Sequence, residues 1–599
     1  MKQLILLLLL TGFLMVPTHG ANAQSSTGLL APVGGGYADV YPGIVAAFLE
    51  RAQGDTVKIT VLPTTYASNP DAITQAELEV NLRDAERRRL EVEEACKRAA
   101  PAGVTCTATI APVFTRTDAE DEANLAYFGE DITAVFVLGG DQGVAMQSLA
   151  NTPVEDAIAA LYTRGGVIAG TSAGGAIQSR AMIADYNRNF AAGNALDRNA
   201  ADVWQDEERR GLIVGVEGAV LDQHFFQRGR VGRLLGTVLR ADTPDIGVGV
   251  DAYTGVRIES GRVLTGVFGL YTVAVLDVAT YGATDSLHYA GERETISARN
   301  ILVHLLAPGD FYYDITTRTS SLAKPPHTVG RRLNELKLPK DAGPLLLTGG
   351  LKTDSLVWGR FAELSAGSDE PLLIVATGFP NERPAQRAAD KLGEQLGGAY
   401  TTVVISLDGD EPIVDDGAYR GIVVVARDQS LLQPEQLGAI KRAWLSGTPL
   451  LLDGAAAVLA GTVFSAHAPT PEEAEPAELA TQRSFLEGRT VITDALGLVD
   501  ITVEPQLLAD NRWGRLFSLA YTQPGTVAFG LADGAGLLLT EEGVEAVGDN
   551  VVISLDLRRA TLDLGANQAF VIANGLLDVF APGDDIRLER AAQTKQRLP

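Results

Sequence analysis

Short apolar runs alternate with charged or mixed stretches through the first half of the chain. Gly28 to Gly36 reads as a strand that closes on three glycines, and Val57 to Leu62 as a second strand halted by the turn Pro63-Thr64-Thr65. Residues 71 to 99 are charged and periodic, which predicts a long helix. Cys106 to Phe114 predicts another strand, after which a helix leads to a strand ending at Leu138. Gly165 to Ala169 predicts a further buried strand, and Ala176-Ile177-Gln178 the opening of a helix. Strands alternating with helices imply a mostly parallel sheet covered by helices on both faces. Ligands bind such sheets beyond the carboxyl ends of the strands. Three glycine-rich stretches, at Gly34, Gly139 and Gly170, all lie at such ends, so one shared pocket is expected. Each glycine pair taken singly also fits ordinary turn chemistry.

After about residue 322 comes Ala323-Lys324-Pro325-Pro326-His327 and a basic stretch to Lys340, which predicts a linker. The pattern then starts again. Leu345 to Gly350 echoes the first strand and its glycines, and Pro371 to Thr377 the second. Val423 to Gln429 answers Phe136 to Gln142, and Pro449 to Ala456 answers the stretch around Gly170. Arg512-Trp513-Gly514-Arg515-Leu516 answers Arg230-Val231-Gly232-Arg233-Leu234. The expected fold is therefore α/β: two tandem doubly wound, mostly parallel sheets with helices on both faces. Two unrelated doubly wound domains sharing only periodicity give the same pattern.

Chemistry enters at Gly170-Thr171-Ser172-Ala173-Gly174-Gly175. A strand, a sharp glycine-flanked turn and a helix make a nucleophile elbow, because the serine backbone must take a strained turn that side chains at Gly170 or Gly174 would crowd. The helix start beneath the hydroxyl favours developing negative charge. A glycine-rich turn that merely contains a serine gives the same motif. A base is needed, and His224, one of only six histidines, follows Asp222 and Gln223 and precedes Arg228, Arg230 and Arg233. The arginines offer forked donors suited to a carboxylate; a solvated basic helix face with a structural histidine is the plainer reading. The Gly139-Gly140 pair exposes backbone N–H groups able to complete an oxyanion hole.

Taken together, the three stretches resemble the cyanophycinase and dipeptidase E family of serine peptidases, which has a class I glutamine-amidotransferase-like fold. Its cyanophycinases carry a GGDQ loop, a GTSAGA elbow and a DQHF-x-x-R-x-R-x-x-R run in this order. The resemblance covers about residues 28 to 322. It implies Ser172 as nucleophile and His224 as base, with oxyanion donors at Gly140 and Ala173. It also implies a substrate pocket lined by Gln142, Asp222, Gln223, Arg228, Arg230 and Arg233. The family's third triad member is an acid a short way after the serine, and Asp185 is the nearest one here. The family's G-I-G-I-D-E run becomes Gly247-Val248-Gly249-Val250-Asp251-Ala252, which keeps the Asp and loses the Glu. In the second half Gly454 falls where Ser172 sits and Gln506 where His224 sits, which implies a degenerate copy without nucleophile or base. Such a copy would serve as a packing partner, a substrate-binding surface or an intramolecular mimic of a dimer.

Composition changes this picture little. The chain of 599 residues is too long for one core, and 46% hydrophobic residues suit globular packing. A net charge of −26 argues against a nucleic-acid partner and is compatible with cationic peptides, while plain solubility is the simpler reading of it. Lys2, the apolar run from Leu4 to Val16 and Ala21-Asn22-Ala23 read as a secretory signal. No later segment is apolar enough to span a membrane, so a secreted or periplasmic chain free of the membrane is expected. The expected divisions are a signal over 1–23, a catalytic domain over 24–322, a linker over 323–343 and the degenerate domain over 344–599. An exported compartment permits a disulfide between Cys96 and Cys106, the only cysteines, whereas two cysteines without a nearby histidine supply too few metal ligands. Neither a metal nor an organic cofactor is expected. Residues 187 to 211 are polar and irregular and read as a surface loop, either a lid or a tolerated insertion. The expected partner is a peptide substrate, cyanophycin or an Asp-containing peptide, with a homo-oligomer or an intramolecular pseudo-dimer as the assembly. An aspartyl dipeptidase and an exported binding protein without activity are the rival readings.

Overall fold

The computed structural model describes residues 28–279, 287–322, 336–352, 354–406, 418–466 and 477–586. The predicted signal over 1–23 and residues 323–335 of the predicted linker lie outside them.

Each half builds an outer sheet. In the first half, parallel strands run in the spatial order Thr105–Ile110, Thr56–Leu62, Ala134–Val137, Val167–Thr171, Leu29–Val33. Antiparallel strands then extend it, starting with Thr254–Glu259 and Val263–Gly269. The alternation of Leu29–Val33 explains its two buried faces. Leu29, Ala31 and Val33 pack with Val45 and Phe48 of the helix Tyr41–Glu50 and with Ala85 and Val92 of the helix Gln75–Ala99. Leu30 points the other way and joins Ile168, Leu221 and Val248. The predicted helix over 71–99 begins at Gln75, where the Thr74 hydroxyl accepts from the Glu77 N–H. Near its far end, Cys96 is joined to Cys106 on the next strand.

The second half repeats that spatial order: Tyr400–Ser406, Leu372–Phe379, Gly421–Ala426, Leu450–Gly454, Leu345–Thr348, then antiparallel Ala535–Leu539 and Val544–Gly548. Both outer sheets pack on a third sheet of 12 strands that contains strands from both halves. The halves join where Thr295–Leu306 pairs antiparallel with Phe570–Phe580, with Leu302 opposite Leu576. This shared sheet is mostly antiparallel, so the expectation of parallel pairing holds for the five-strand cores of the outer sheets. One continuous apolar core runs from Phe225, Phe226 and Leu234 to Phe485, Val503 and Phe517.

Two local expectations need correction. The stretch from 187 to 211 is not a free loop. Its Ala201–Trp204 segment pairs with Met182–Tyr186, and Arg210 is buried in a two-pronged bond to Glu155 at 2.6 and 2.9 Å. The helix after Ser172 spans only Ala173–Ala176, too short for a sizeable dipole. Among the described residues no helix is long and apolar enough to cross a membrane, and no group of three or more His, Cys, Asp or Glu is placed to hold a metal ion.

Candidate active site

Ser172 sits at the end of Val167–Thr171 with φ 53° and ψ −117°. A side chain rarely takes this conformation, which costs on the order of 1–3 kcal/mol unless the surroundings enforce it. Here they do. The Ser172 N–H donates to the Val33 carbonyl at 2.9 Å, and the Thr171 hydroxyl to the Gly36 carbonyl at 2.8 Å. The flanking glycines are required by close backbone approach: a Cβ on Gly170 would lie 2.1 Å from the Gly174 carbonyl oxygen, and one on Gly174 would lie 2.4 Å from that of Val137.

His224 follows Ala219–Asp222, a strand of the shared sheet, so the two reactive side chains come from different sheets. Its backbone also takes positive φ, 47°, and its N–H donates to the Gly34 carbonyl at 2.8 Å. Gly35 leaves room for the ring, since a Cβ there would fall 2.3 Å from Cε1. The result is a 3.0 Å contact between His224 Nε2 and Ser172 Oγ. The other ring nitrogen, Nδ1, meets Oε1 of Gln227. An amide oxygen only accepts, so Nδ1 carries the proton and Nε2 offers its lone pair to the serine hydroxyl. Burial lowers His224 to about 3, and the charge of Arg228 adds to the fall, so the imidazole is neutral at neutral pH.

Asp185 does not supply the third member. It lies on the exposed part of Met182–Tyr186, and its carboxylate accepts from the N–H of Tyr186. Gln227 takes that place, an amide where an acid was expected. Sequence spacing gave one usable signal, a polar side chain three residues after the histidine in a turn. Gln227 is itself anchored to a buried acid: its N–H donates to Asp251 Oδ1 at 3.1 Å, beside that of Ala252 at 3.0 Å.

The remaining predicted residues divide into those beside the serine and those locked inside. Gln223 accepts from Ser172 Oγ at 3.4 Å. The Gly139-Gly140 loop lies against the serine, because a Cβ on Gly139 would be 3.2 Å from Ser172 Cβ. The Gly139 N–H donates to the Tyr37 hydroxyl at 3.3 Å, a contact the sequence did not suggest. Ala173 heads its short helix, where an N–H has no intrahelical acceptor. Gln142, by contrast, is buried and donates to the carbonyls of Ala184 at 2.7 Å and Ile183 at 3.2 Å, tying the loop to a strand. Asp222 and Arg233 form a buried two-pronged pair at 2.6 and 2.8 Å. Arg230 is buried as well and donates to the Gln223 carbonyl at 2.7 Å. These four were expected to line the pocket, but all are buried and bonded within the fold, with Arg233 on the inward face of the helix Val231–Val238. Of the three arginines only Arg228 is exposed.

No family model matches the chain. It is 34% identical over 187 residues to a cyanophycinase of Trichormus variabilis, a match covering 31% of this chain and 58% of that one. A cyanophycinase of Geminocystis herdmanii is 31% identical over 199 residues, covering 33% of this chain and 68% of the relative. Among solved structures, a peptidase from an acI-B1 Actinobacterium aligns with 48% of this chain and 98% of its own, at 19% identity and a TM-score of 0.33. The motifs at Gly139, Ser172 and His224 and these relatives agree: the chain belongs to the cyanophycinase and dipeptidase E family of serine peptidases.

Proposed function

We propose that the chain is an exported serine peptidase that hydrolyses cyanophycin, an aspartate backbone bearing arginine, to β-aspartyl-arginine. The observation carrying this reading is the 3.0 Å contact of His224 Nε2 with Ser172 Oγ on a strained elbow. In the proposed cycle Oγ attacks the substrate carbonyl carbon and its proton passes to Nε2. The N–H groups of Ala173 and Gly140 face the oxyanion. The amine departs with the proton from Nε2, leaving an ester on Ser172. Water, deprotonated by Nε2, then adds to that ester and releases the acid and the free serine. Export rests on the Lys2-to-Ala23 pattern alone.

A second reading is an aspartyl dipeptidase of the same family. It is favoured by the inward commitment of Arg230 and Arg233, which leaves only Arg228 exposed for a long substrate. Purified cyanophycin and short Asp-containing peptides, each incubated with the protein and with Ser172→Ala, separate the readings by mass spectrometry of the products. Dipeptide release from the polymer, lost in Ser172→Ala, is expected. Cleavage of short peptides only would favour the second reading, and product formation unchanged in Ser172→Ala would overturn both.

The second half is read as a degenerate copy of the first. The reading is supported by the identical strand order of the outer sheets and by the pairing of Thr295–Leu306 with Phe570–Phe580, each the last long strand of its half.

A further inference from the structure

We propose that the second half of the chain takes part in the reaction from behind His224, with Asn511 and Gln482 as positioning residues for the imidazole. The proposal rests on the reading of Ser172 and His224 as nucleophile and base.

The imidazole is oriented by an amide. A carboxylate at Nδ1 would attract the ring through charge as well as through a hydrogen bond. Gln227 has only the hydrogen bond, which weakens steeply with misalignment. The orientation of His224 therefore depends on where the backbone of Phe226 and Gln227 is held. The first half holds it through the Gln227 N–H to Asp251 and through the Gly229 N–H to the Phe226 carbonyl at 3.2 Å. The other tethers come from the second. Asn511 Nδ2 donates to the Phe226 carbonyl at 2.7 Å and to that of Gln227 at 3.1 Å. The Phe226 ring packs against Phe485 and Phe517, with centroids 4.1 and 5.6 Å away. Gly229 admits the Asn511 amide, since a Cβ there would stand 3.1 Å from Asn511 Oδ1. Deeper in, the fully buried Gln482 donates to the Ala252 carbonyl at 3.1 Å. That bond pins the backbone beside Asp251, the residue that holds Gln227.

A role in simple packing between the halves would affect stability alone. The two possibilities separate when contacts that reach His224 are compared with one that does not. Ser297 donates to Asp584 at 2.6 Å across the same junction, away from the His224 segment. Asn511→Ala, Gln482→Ala and Ser297→Ala are made in the full chain. Each is measured for kcat and KM on cyanophycin and for the nitrogen chemical shifts of ¹⁵N-labelled His224, assigned with His224→Gln.

Asn511→Ala and Gln482→Ala are expected to lower kcat by about tenfold or more, with KM changed by less than about twofold, because the base is misplaced and the substrate is not. The His224 signals in both should move from a fixed Nδ1–H tautomer toward averaging. Ser297→Ala should leave kcat and the signals unchanged. The proposal is overturned if Asn511→Ala and Gln482→Ala behave like Ser297→Ala in both readouts. A wild-type chain inactive on cyanophycin would count against the substrate reading, while the His224 signals would still decide this proposal.

Discussion

The two halves share a scaffold and differ in what hangs from it. Gly454 has φ 58° and ψ −127° where Ser172 has 53° and −117°, and Gln506 has φ 54° where His224 has 47°. Glu504 and Arg515 face each other as Asp222 and Arg233 do, though at 3.8 Å instead of 2.6 Å. Gln429 donates to the Ser465 carbonyl as Gln142 donates to that of Ala184. Elbow, loop tie and buried acid–arginine contact thus persist where serine and histidine are missing. They are features of the fold, and on the proposed reading the chemistry is confined to a few side chains. The second cleft is also closed on itself: Arg512 donates to Gln429 and Gln506, both at 2.8 Å, so residue 506 is held where His224 is free to meet a serine.

The largest effect that would sharpen this contrast is on rate. Ser172→Ala should reduce hydrolysis by at least about a thousandfold while circular dichroism and the unfolding midpoint stay near wild type. Loss of folding would show instead that the elbow depends on the serine side chain.

The next effect is on stability and compares the buried ion contacts. Removing one partner of a buried pair strands the other charge, at about 3–5 kcal/mol. Asp222→Ala should approach that loss in urea denaturation. Glu504→Ala should lose less, because the arginines it meets, Arg512 at 3.3 Å and Arg515 at 3.8 Å, are farther away and less buried than Arg233. Equal losses would remove the structural distinction between the halves at this point.

The third effect follows from pH. Burial raises the Asp251 carboxyl to about 7, partly offset by hydrogen bonds from the Gln482 side chain and the Gln227 N–H. An unfolded chain releases that proton near pH 4. Between about pH 4 and 7 the folded state binds the extra proton, so this group's contribution to stability falls as pH rises and levels off above about 7. Over that window the loss is roughly 4 kcal/mol at most. His224 and His304, both lowered to about 3 chiefly by burial, act in the opposite sense: their contribution is present above about 6.5 and lost on acidification. The difference between wild type and Asp251→Asn isolates the carboxyl. The variant should gain relative stability from pH 4.5 to 7.5, and a flat difference would contradict the raised value.

Much of this was legible in the sequence. The glycine spacing around Ser172 marks the elbow, because only Gly170 and Gly174 allow the backbone approaches seen there. The echo of Arg230-Val231-Gly232-Arg233 in Arg512-Trp513-Gly514-Arg515 marks the correspondence between the halves. What could not be read were partners that are distant in sequence. Asp185 was the nearest acid along the chain, whereas the contact at Nδ1 is decided by the turn that brings Gln227 back to the ring. The inward commitment of Arg233 depends on which face of its helix meets the core. The sheet shared by the halves depends on strands about 270 residues apart, such as those pairing Leu302 with Leu576, which periodicity does not connect.

The smallest effect tests the second cleft. Gly454→Ser with Gln506→His, made on Ser172→Ala, should restore no hydrolysis. The space at 454 admits a side chain, since the nearest atom to its Cβ would be 3.6 Å away, but Arg512, held by Gln429 and now bonded to residue 506, would leave a cation beside the new imidazole. Recovered turnover would show that the two clefts differ in two side chains alone.

On the proposed reading Ser172 is an activated nucleophile although its histidine is oriented by an amide. A fluorophosphonate probe applied to the full chain, followed by mapping of the modified peptide, tests it most directly. The probe should form one adduct, on Ser172, at a rate that falls as pH drops through the titration of His224, and His224→Gln should abolish it. No adduct at Ser172, or labelling that is indifferent to His224→Gln, would mean that His224 does not activate Ser172.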